Sequence, residues 1–425
     1  MFKIEREKDI RGKIIIMDFQ TINFCELIKN VIHPNEECIL QGEVDWTYLV
    51  KLSKDHNLLP VFMEGASRYF SYISRLEYDR ETKECLAVVA GQVRRTSAFL
   101  RVYEAFNDAG LHPIVMKGLI CRELYGRLAD HRPSGDEDIL IRPCEYEKAK
   151  NVLIANGYVA EFEVQTEAQL EQVQEISFIH PKEKLHIELH LNPMGRENAA
   201  LSHMSDCFSN VFEKYREVEI SGVKVRTMSH QDHLLFLILH AFKHFIGGGF
   251  GIRQMLDLLL YQEHYGKEID LEELSRILRS FQTDVFWSDL IHIGNSYFGF
   301  CLPNSYAQNC PDDLLIDMIS CGVFGNKTQV QETAGKTMIL ATGNYIKNKR
   351  SNSVVMVLKS IFPSKAYMLK YSPYLEEKPW LVPVAWVRRW GRFIRKSWQH
   401  DGNLALESMR ISQRRMKLLK KYDLV

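Results

Sequence analysis

Apolar residues in the first hundred positions recur at helical intervals. Trp46, Leu49, Val50 and Leu52 fall on one repeat that ends before Pro60. Val89, Val93, Leu100, Tyr103 and Phe106, spaced by three, four and seven, predict a helix from about Glu84 to Asn107 with a single core-facing stripe, ended by Gly110. From His112 the texture changes to short apolar runs broken by glycine and proline. Ile114 to Met116, Ile139 to Ile141, Ile176 to Ile179 and Leu185 to Leu191 read as strands. Between them, Glu145 to Ala155 reads as a helix that starts after Pro143 and closes at Asn156-Gly157. Pro181 to Lys184 is a turn, and the alternation on either side of Ser221-Gly222 is the pattern of a hairpin.

The helical period returns at Ser229 and Asp232, a helix-start pair, and runs to Phe245. It continues through Arg253 to Tyr261 and Leu271 to Leu278, up to about residue 345. Pro363, Pro373, Pro379 and Pro383 predict an extended connector before a basic helical tail. The pattern thus divides the chain into an N-terminal helical region (1–99), a strand-rich core (100–228), a helical domain (229–345) and a proline-punctuated connector with its tail (346–425).

Composition changes this picture in few places. A length of 425 residues exceeds one ordinary core, and 46% hydrophobic with 25% charged residues is usual for a globular protein. Lysine plus arginine equals aspartate plus glutamate at 54 each, so no overall field marks a nucleic-acid binder. The charge is local instead: Trp386 to Val425 holds eleven basic residues against three acidic ones. Trp386, Trp390 and Phe393 share one helical face, with Arg388, Arg389, Arg392 and Arg395 around it. Such a helix suits a peripheral contact with an anionic membrane, an RNA, or packing on its own protein. Nine cysteines without a C-x-x-C pair point away from a zinc ribbon or a disulfide framework and towards a reducing cytoplasm. The charged N-terminus, and the lack of an apolar run of about 18 residues, predict neither secretion nor a transmembrane segment.

The chemistry lies in the strand-rich core. Residues two apart on a strand share a face, so Asp136 and Asp138 point the same way at the start of a strand and Glu137 points away. In Leu185 to Leu191 the apolar residues alternate with His186, Glu188 and His190, which puts Glu188 on the polar face of a half-buried strand. Three convergent carboxylates gather divalent ions of the kind that neutralise a triphosphate and activate an attacking oxygen. Upstream, Val115-Met116-Lys117-Gly118 ends a strand and opens a helix, where a glycine lets phosphate approach backbone N–H groups and Lys117 adds positive charge. Neither a Walker loop nor G-x-G-x-x-G occurs.

Met116-Lys-Gly with Leu124-Tyr125, Arg132-Pro-Ser-Gly-Asp-Glu-Asp-Ile-Leu-Ile, Ala149, Gly157-Tyr158 and Glu188-Leu-His190 resemble the uncharacterised bacterial nucleotidyltransferase family of the polymerase-β superfamily. Val44-Asp45-Trp46, His56 and Leu59-Pro60 upstream, and His240, Lys243-His244, Arg253 and Leu256-Asp257 downstream, are similar to that family's helical flanks, so most of the chain is covered. The resemblance implies an α+β fold, a small mixed β-sheet between N-terminal and C-terminal helical segments. It implies that Asp136 and Asp138 bind two magnesium ions, or manganese, and that Glu188 completes the set. Lys117, Gly118 and Ser134, with Arg132 of the same motif, are implied to face the nucleotide. The implied reaction moves a nucleoside monophosphate from a nucleoside triphosphate, with ATP expected, to a hydroxyl-type acceptor and releases pyrophosphate. The acceptor is a small molecule, a protein or a tRNA. The rival reading is a non-catalytic regulatory protein on the same scaffold that binds nucleotide, RNA or membrane. The chain departs from the superfamily pattern at Leu119, where serine or glycine is usual, and at Glu137, where an apolar residue is common; Glu137 is expected to alter metal loading or to sit in solvent.

Two further expectations concern the helical domain. His233, His240 and His244 lie within about 40° on a helical wheel, and the last two have the spacing of a metal pair, although Ala241 stands where a zinc protease carries glutamate. Packing or a place near the nucleotide are the other readings. Arg253 and Asp257, one turn apart, predict an intrahelical ion pair or the border of a site. Because a core this small leaves its carboxylates open to water on one side, His240 to Asp257 is expected to close over the nucleotide. Lys243, His244 and Arg253 would then meet the triphosphate, with the glycines at 247, 248, 249 and 251 as hinge.

Overall fold

The computed structural model describes residues 18–34, 38–72, 74–161, 170, 173–195, 199–247, 249–304, 309–322, 368, 373–375, 378–399 and 417–424. The chain divides into two compact units, 1–242 with 251–323, and 243–250 with 324–425.

The first unit is built on one mixed sheet. Its strands are β1 (Ile114–Val115), β2 (Asp136–Leu140), β3 (Val159–Ala160), β4 (Glu175–His180), β5 (Leu185–His190), β6 (Tyr215–Ile220) and β7 (Val223–Met228), in the order β3-β4-β5-β2-β1-β7-β6. β2 runs parallel to β5 and β1 parallel to β7, and the other neighbours are antiparallel. The expected hairpin forms with positive φ at both Ser221 (49°) and Gly222 (84°), the two-residue turn whose twist matches its strands.

Helices α1 (Phe19–Ile32), α2 (Trp46–Asp55), α3 (Leu59–Ala66) and α4 (Arg75–Asp108) precede the sheet. α5 (Leu119–Glu123), α6 (Tyr146–Ala155) and α7 (Ala199–Asp206) lie between strands, and α8 (His230–Gly247), α9 (Ile252–Tyr265), α10 (Leu271–Ser280), α11 (Asp284–Tyr297) and α12 (Pro311–Cys321) follow them. The fold class is therefore α+β, a mixed sheet with helical segments on either side in sequence. Phe99, Tyr103 and Phe106 of α4 and Ala149 and Leu153 of α6 pack with Ile139, Phe178, Ile187 and Leu189 of the sheet into one buried core. Ser229 starts α8 as expected, its hydroxyl accepting from the Asp232 N–H at 3.1 Å.

α4 departs from its sequence reading. Ser74 caps it, so it begins nine residues before Glu84. Its apolar stripe faces the core only near the C-terminal end, where Leu100, Tyr103 and Phe106 are buried, while Val93 is 48% exposed. The buried positions upstream are polar: Glu81, paired with Lys54 and Arg80, and Gln92. Apolar spacing does not register a face buried through hydrogen bonds.

His56 ties the N-terminal helices to α9 within this unit. Its Nδ1 accepts the Ile252 N–H at 3.1 Å, and burial lowers its pKa to about 4, which keeps the ring neutral as that bond requires.

In the second unit, α13 (Val382–Gln399) is the basic helix, and its Ala385 forms a buried cluster with Met368 and Leu375. Pro383 lies in the first turn of this helix and not in an extended connector, a position where its missing N–H costs nothing. The rings of Phe245 and Tyr422 pack edge to face at 5.4 Å. Pro363, and the side chains of Trp390, Arg392, Phe393 and Arg395, lie outside the described residues. Among the described residues no helix is long and apolar enough to cross a membrane.

Candidate functional site

The parallel register of β2 and β5 places Asp136 beside His186 and Asp138 beside Glu188. Two-residue periodicity then sets His190 on the same face, diagonal to Asp138. The His190 Nε2–H donates to Asp138 Oδ1 at 3.1 Å and lies 3.6 Å from Glu188 Oε2. Its Nδ1 is 3.5 Å from Glu175 Oε2 on β4. Donor atoms of Asp138, Glu188 and His190 all lie within 4.8 Å of one another. Asp138 and His190 are buried, and the Glu188 side chain keeps 27% of its exposure. Asp136 is half-buried at the start of the strand and does not belong to this group of three.

The charges in this cluster depend on one another. Burial works against the His190 imidazolium, but hydrogen bonds to the Asp138 and Glu188 carboxylates overcome it and raise its pKa to about 10. Burial likewise works against the Asp138 carboxylate, and His190 together with the positive charge of Lys117 holds its pKa well below the ordinary carboxylate range. Glu188 goes the other way, raised to about 7 by burial and by the neighbouring charges of Asp138, Glu175 and Asp136 against the pull of His190.

Asp138 Oδ2 is buried with no hydrogen-bond partner. An orphaned carboxylate oxygen is costly, and a cation bound on this face would satisfy it. The donor set of two carboxylates and an imidazole fits a divalent ion.

Glu137, expected to alter metal loading or to sit in solvent, does not sit in solvent: it is 1% exposed on the opposite face of β2. Its Oε1 accepts from Arg122 at 2.6 Å and its Oε2 from the Leu119 N–H at 2.7 Å. The first amide of α5, which the sequence reading left open to a phosphate, is thus occupied by the protein's own carboxylate. Gly118 is required there for two reasons, its φ of 53° and the close approach of Glu137, whose carboxylate a Cβ would strike. Lys117 remains half-buried beside this turn.

The loop from Arg132 to Ser134 is held from two sides. The Arg132 guanidinium donates to Asp257 Oδ1 at 3.0 Å and to Oδ2 at 2.5 Å, and to the Ser134 hydroxyl at 2.6 Å. Tyr125 donates a further bond to Asp257 at 3.1 Å. From α4, Gln92 Oε1 accepts the Ser134 N–H at 2.9 Å. The expected Arg253–Asp257 pair is therefore corrected: Arg132, buried and bidentate, takes the carboxylate. Arg253 donates from one terminal nitrogen to the Pro133 carbonyl, while its Nε is buried without a partner. Burial, with the nearby charge of Arg132, lowers its pKa to about 10, and the charges of Asp257 and Asp136 act in the opposite sense.

The structure thus brings together Asp138 and Glu188, and separately gathers Arg132, Ser134 and Arg253 around one loop. Lys243 and His244 belong to the second unit. His233 is fully buried and its Nδ1 is 3.2 Å from the Thr227 hydroxyl, and the ring of His240 stacks on Phe236 at 5.4 Å. Neither joins a group of metal-binding side chains among the described residues. Gly248 lies outside those residues. Sequence reasoning did not single out His190, Glu175, Arg122 or Gln92. The alternation of β5 already placed His190 on the face of Glu188, and that was the available signal. A family model described as an uncharacterised nucleotidyltransferase matches residues 42–299, more than half of the chain, and the chain belongs to that family. No curated protein and no solved structure matches it.

Proposed function

We propose that this member of the uncharacterised nucleotidyltransferase family is an active, metal-dependent enzyme of the polymerase-β type. It moves a nucleoside monophosphate from a nucleoside triphosphate, ATP first among the candidates, to a hydroxyl-type acceptor in a bacterial cytoplasm, and releases pyrophosphate. The observation that carries this reading is the buried convergence of Asp138, Glu188 and His190 on adjacent strands, with one Asp138 oxygen lacking a hydrogen-bond partner. Asp138 and Glu188, with half-buried Asp136 at the start of the strand, would hold magnesium or manganese, which when bound neutralises triphosphate charge and makes the attacking hydroxyl more acidic.

Glu188, whose side chain keeps part of its exposure beside the ion, is the carboxylate proposed to take the acceptor's proton. Arg253 offers the triphosphate a buried guanidinium whose Nε is unsatisfied within the protein. Lys117 contributes charge from the Gly118 turn. Arg132 acts by fixing the Ser134 loop, since its own donors already serve Asp257 and Ser134.

Transfer of labelled phosphate from α-labelled nucleotides into cell extract, compared between wild type and Asp138→Asn, tests the proposal. Wild type is expected to label an acceptor in the presence of a divalent ion. The variant should lose at least roughly a hundredfold, the rate equivalent of several kcal/mol of charge stabilisation. Equal labelling by both proteins removes this cluster from the mechanism.

A further inference from the structure

We infer that His190 bonds directly to the ion held by Asp138 and Glu188, and that its nitrogen shifts the site's preference from magnesium towards manganese and the later divalent transition metals. This rests on the metal-dependent reading above and goes beyond it, since an all-carboxylate site would favour neither.

Neighbouring ligands of an octahedral ion with bonds of about 2.0–2.2 Å stand about 3 Å apart. His190 Nε2 stands 3.1 Å from Asp138 Oδ1 and 3.6 Å from Glu188 Oε2, so the imidazole already lies where a third ligand belongs, and the ion would displace to solvent the proton that Nε2 now shares with Asp138. The far side of the ring agrees. Glu175, paired in register with His190, sets its carboxylate 3.5 Å from Nδ1; no hydrogen bond joins them, but the carboxylate's charge favours keeping the ring's proton on Nδ1, which leaves Nε2 for the ion. Burial to 1% exposure keeps the ring from turning out to water. The vacant hydrogen-bonding capacity of Asp138 Oδ2 points to a ligand in the same place. Magnesium prefers oxygen donors and retains its waters, whereas an imidazole nitrogen raises affinity for manganese, cobalt and zinc.

The test uses the full-length chain without nucleotide. Manganese and magnesium are titrated calorimetrically, and the manganese-loaded protein is examined by pulsed electron paramagnetic resonance for coupling to nitrogen. Protein labelled with ¹⁵N-histidine reports whether that nitrogen is histidine's without altering the fold. His190→Asn then separates His190 from His186, the other histidine on this face of β5. We expect manganese to bind more tightly than magnesium, histidine nitrogen coupling in the wild type, and its loss in His190→Asn with at least about tenfold weaker manganese binding. Manganese binding without histidine coupling overturns the inference and leaves the metal-dependent reading standing, as does coupling that survives in His190→Asn. Failure of both ions to bind the wild type overturns both.

Discussion

His190 is an imidazolium enclosed by carboxylates, and the pH dependence of the protein should reflect it. Its folded pKa of about 10 lies above the ordinary 6.5, so its contribution to stability is complete below pH 6.5 and is lost as pH rises towards 10. Glu188 adds a loss of the same sign at lower pH. With a folded pKa of about 7 against an ordinary 4.5, it favours the folded state below pH 4.5, and that contribution disappears as pH rises through 7. Asp138, held low, acts oppositely, but only in acid. Protein prepared without divalent ions should therefore become progressively less heat-stable from about pH 7 to 10. Manganese should restore more stability at the alkaline end, because a metal competes with protons for these groups. Thermal unfolding across that range, with and without manganese, checks both statements. A wild-type profile that coincides with that of His190→Asn would show that the imidazolium carries none of the dependence.

At the scale of elements, β2 serves two purposes through its two faces. Asp136 and Asp138 face the candidate metal site, while Glu137 on the other side fastens the Gly118 turn and α5 to the strand. Arg122 and Glu137 are each 1% exposed, so removing one leaves the other as a buried, uncompensated charge. Arg122→Met should lower the unfolding free energy by about 3–5 kcal/mol, measured by denaturant titration, whereas replacing an exposed ion pair changes little. A loss below about 1 kcal/mol would mean that water or another group reaches Glu137. The same strand shows what the sequence makes legible. Alternation of side chains identifies which residues share a face, and it correctly separated Asp138 and Glu188 from Glu137. It carries no information about what lies opposite each face. The partner of Glu137 is a guanidinium fifteen positions earlier, on a helix whose orientation depends on the fold. For α4 the limit is similar: apolar intervals find the Tyr103 and Phe106 end, and they miss the middle of the helix, where buried Gln92 bonds to the loop that precedes β2.

At the scale of the first unit, the candidate site is assembled from distant parts of the chain, which explains why its cationic side was harder to read. Arg253 and Asp257 look like a local pair because helical spacing is visible in sequence, yet Asp257 binds Arg132, 125 positions away. That exchange leaves Arg253 with its charge buried, one carbonyl acceptor, and Arg132 as a neighbouring like charge. Such a group is poorly satisfied by the protein alone. Burial of a guanidinium that the carboxylates of Asp257 and Asp136 compensate only in part costs stability, and replacing it with an apolar side chain of similar volume offsets that cost. Arg253→Met gives up the bond to the Pro133 carbonyl, worth about 1 kcal/mol, and relieves the desolvated charge, so its thermal stability should equal or exceed that of wild type. Triphosphate affinity should move the other way. Losing a charge-assisted hydrogen bond of about 1.5–3 kcal/mol weakens binding by roughly tenfold or more. Calorimetric binding of a triphosphate and thermal unfolding, measured on the same protein, distinguish this from a packing role. A residue that only supports the helices loses stability when replaced and binds nucleotide as before. An anion-binding arginine keeps its stability and loses the nucleotide. Unchanged affinity in Arg253→Met would therefore exclude Arg253 from the triphosphate site.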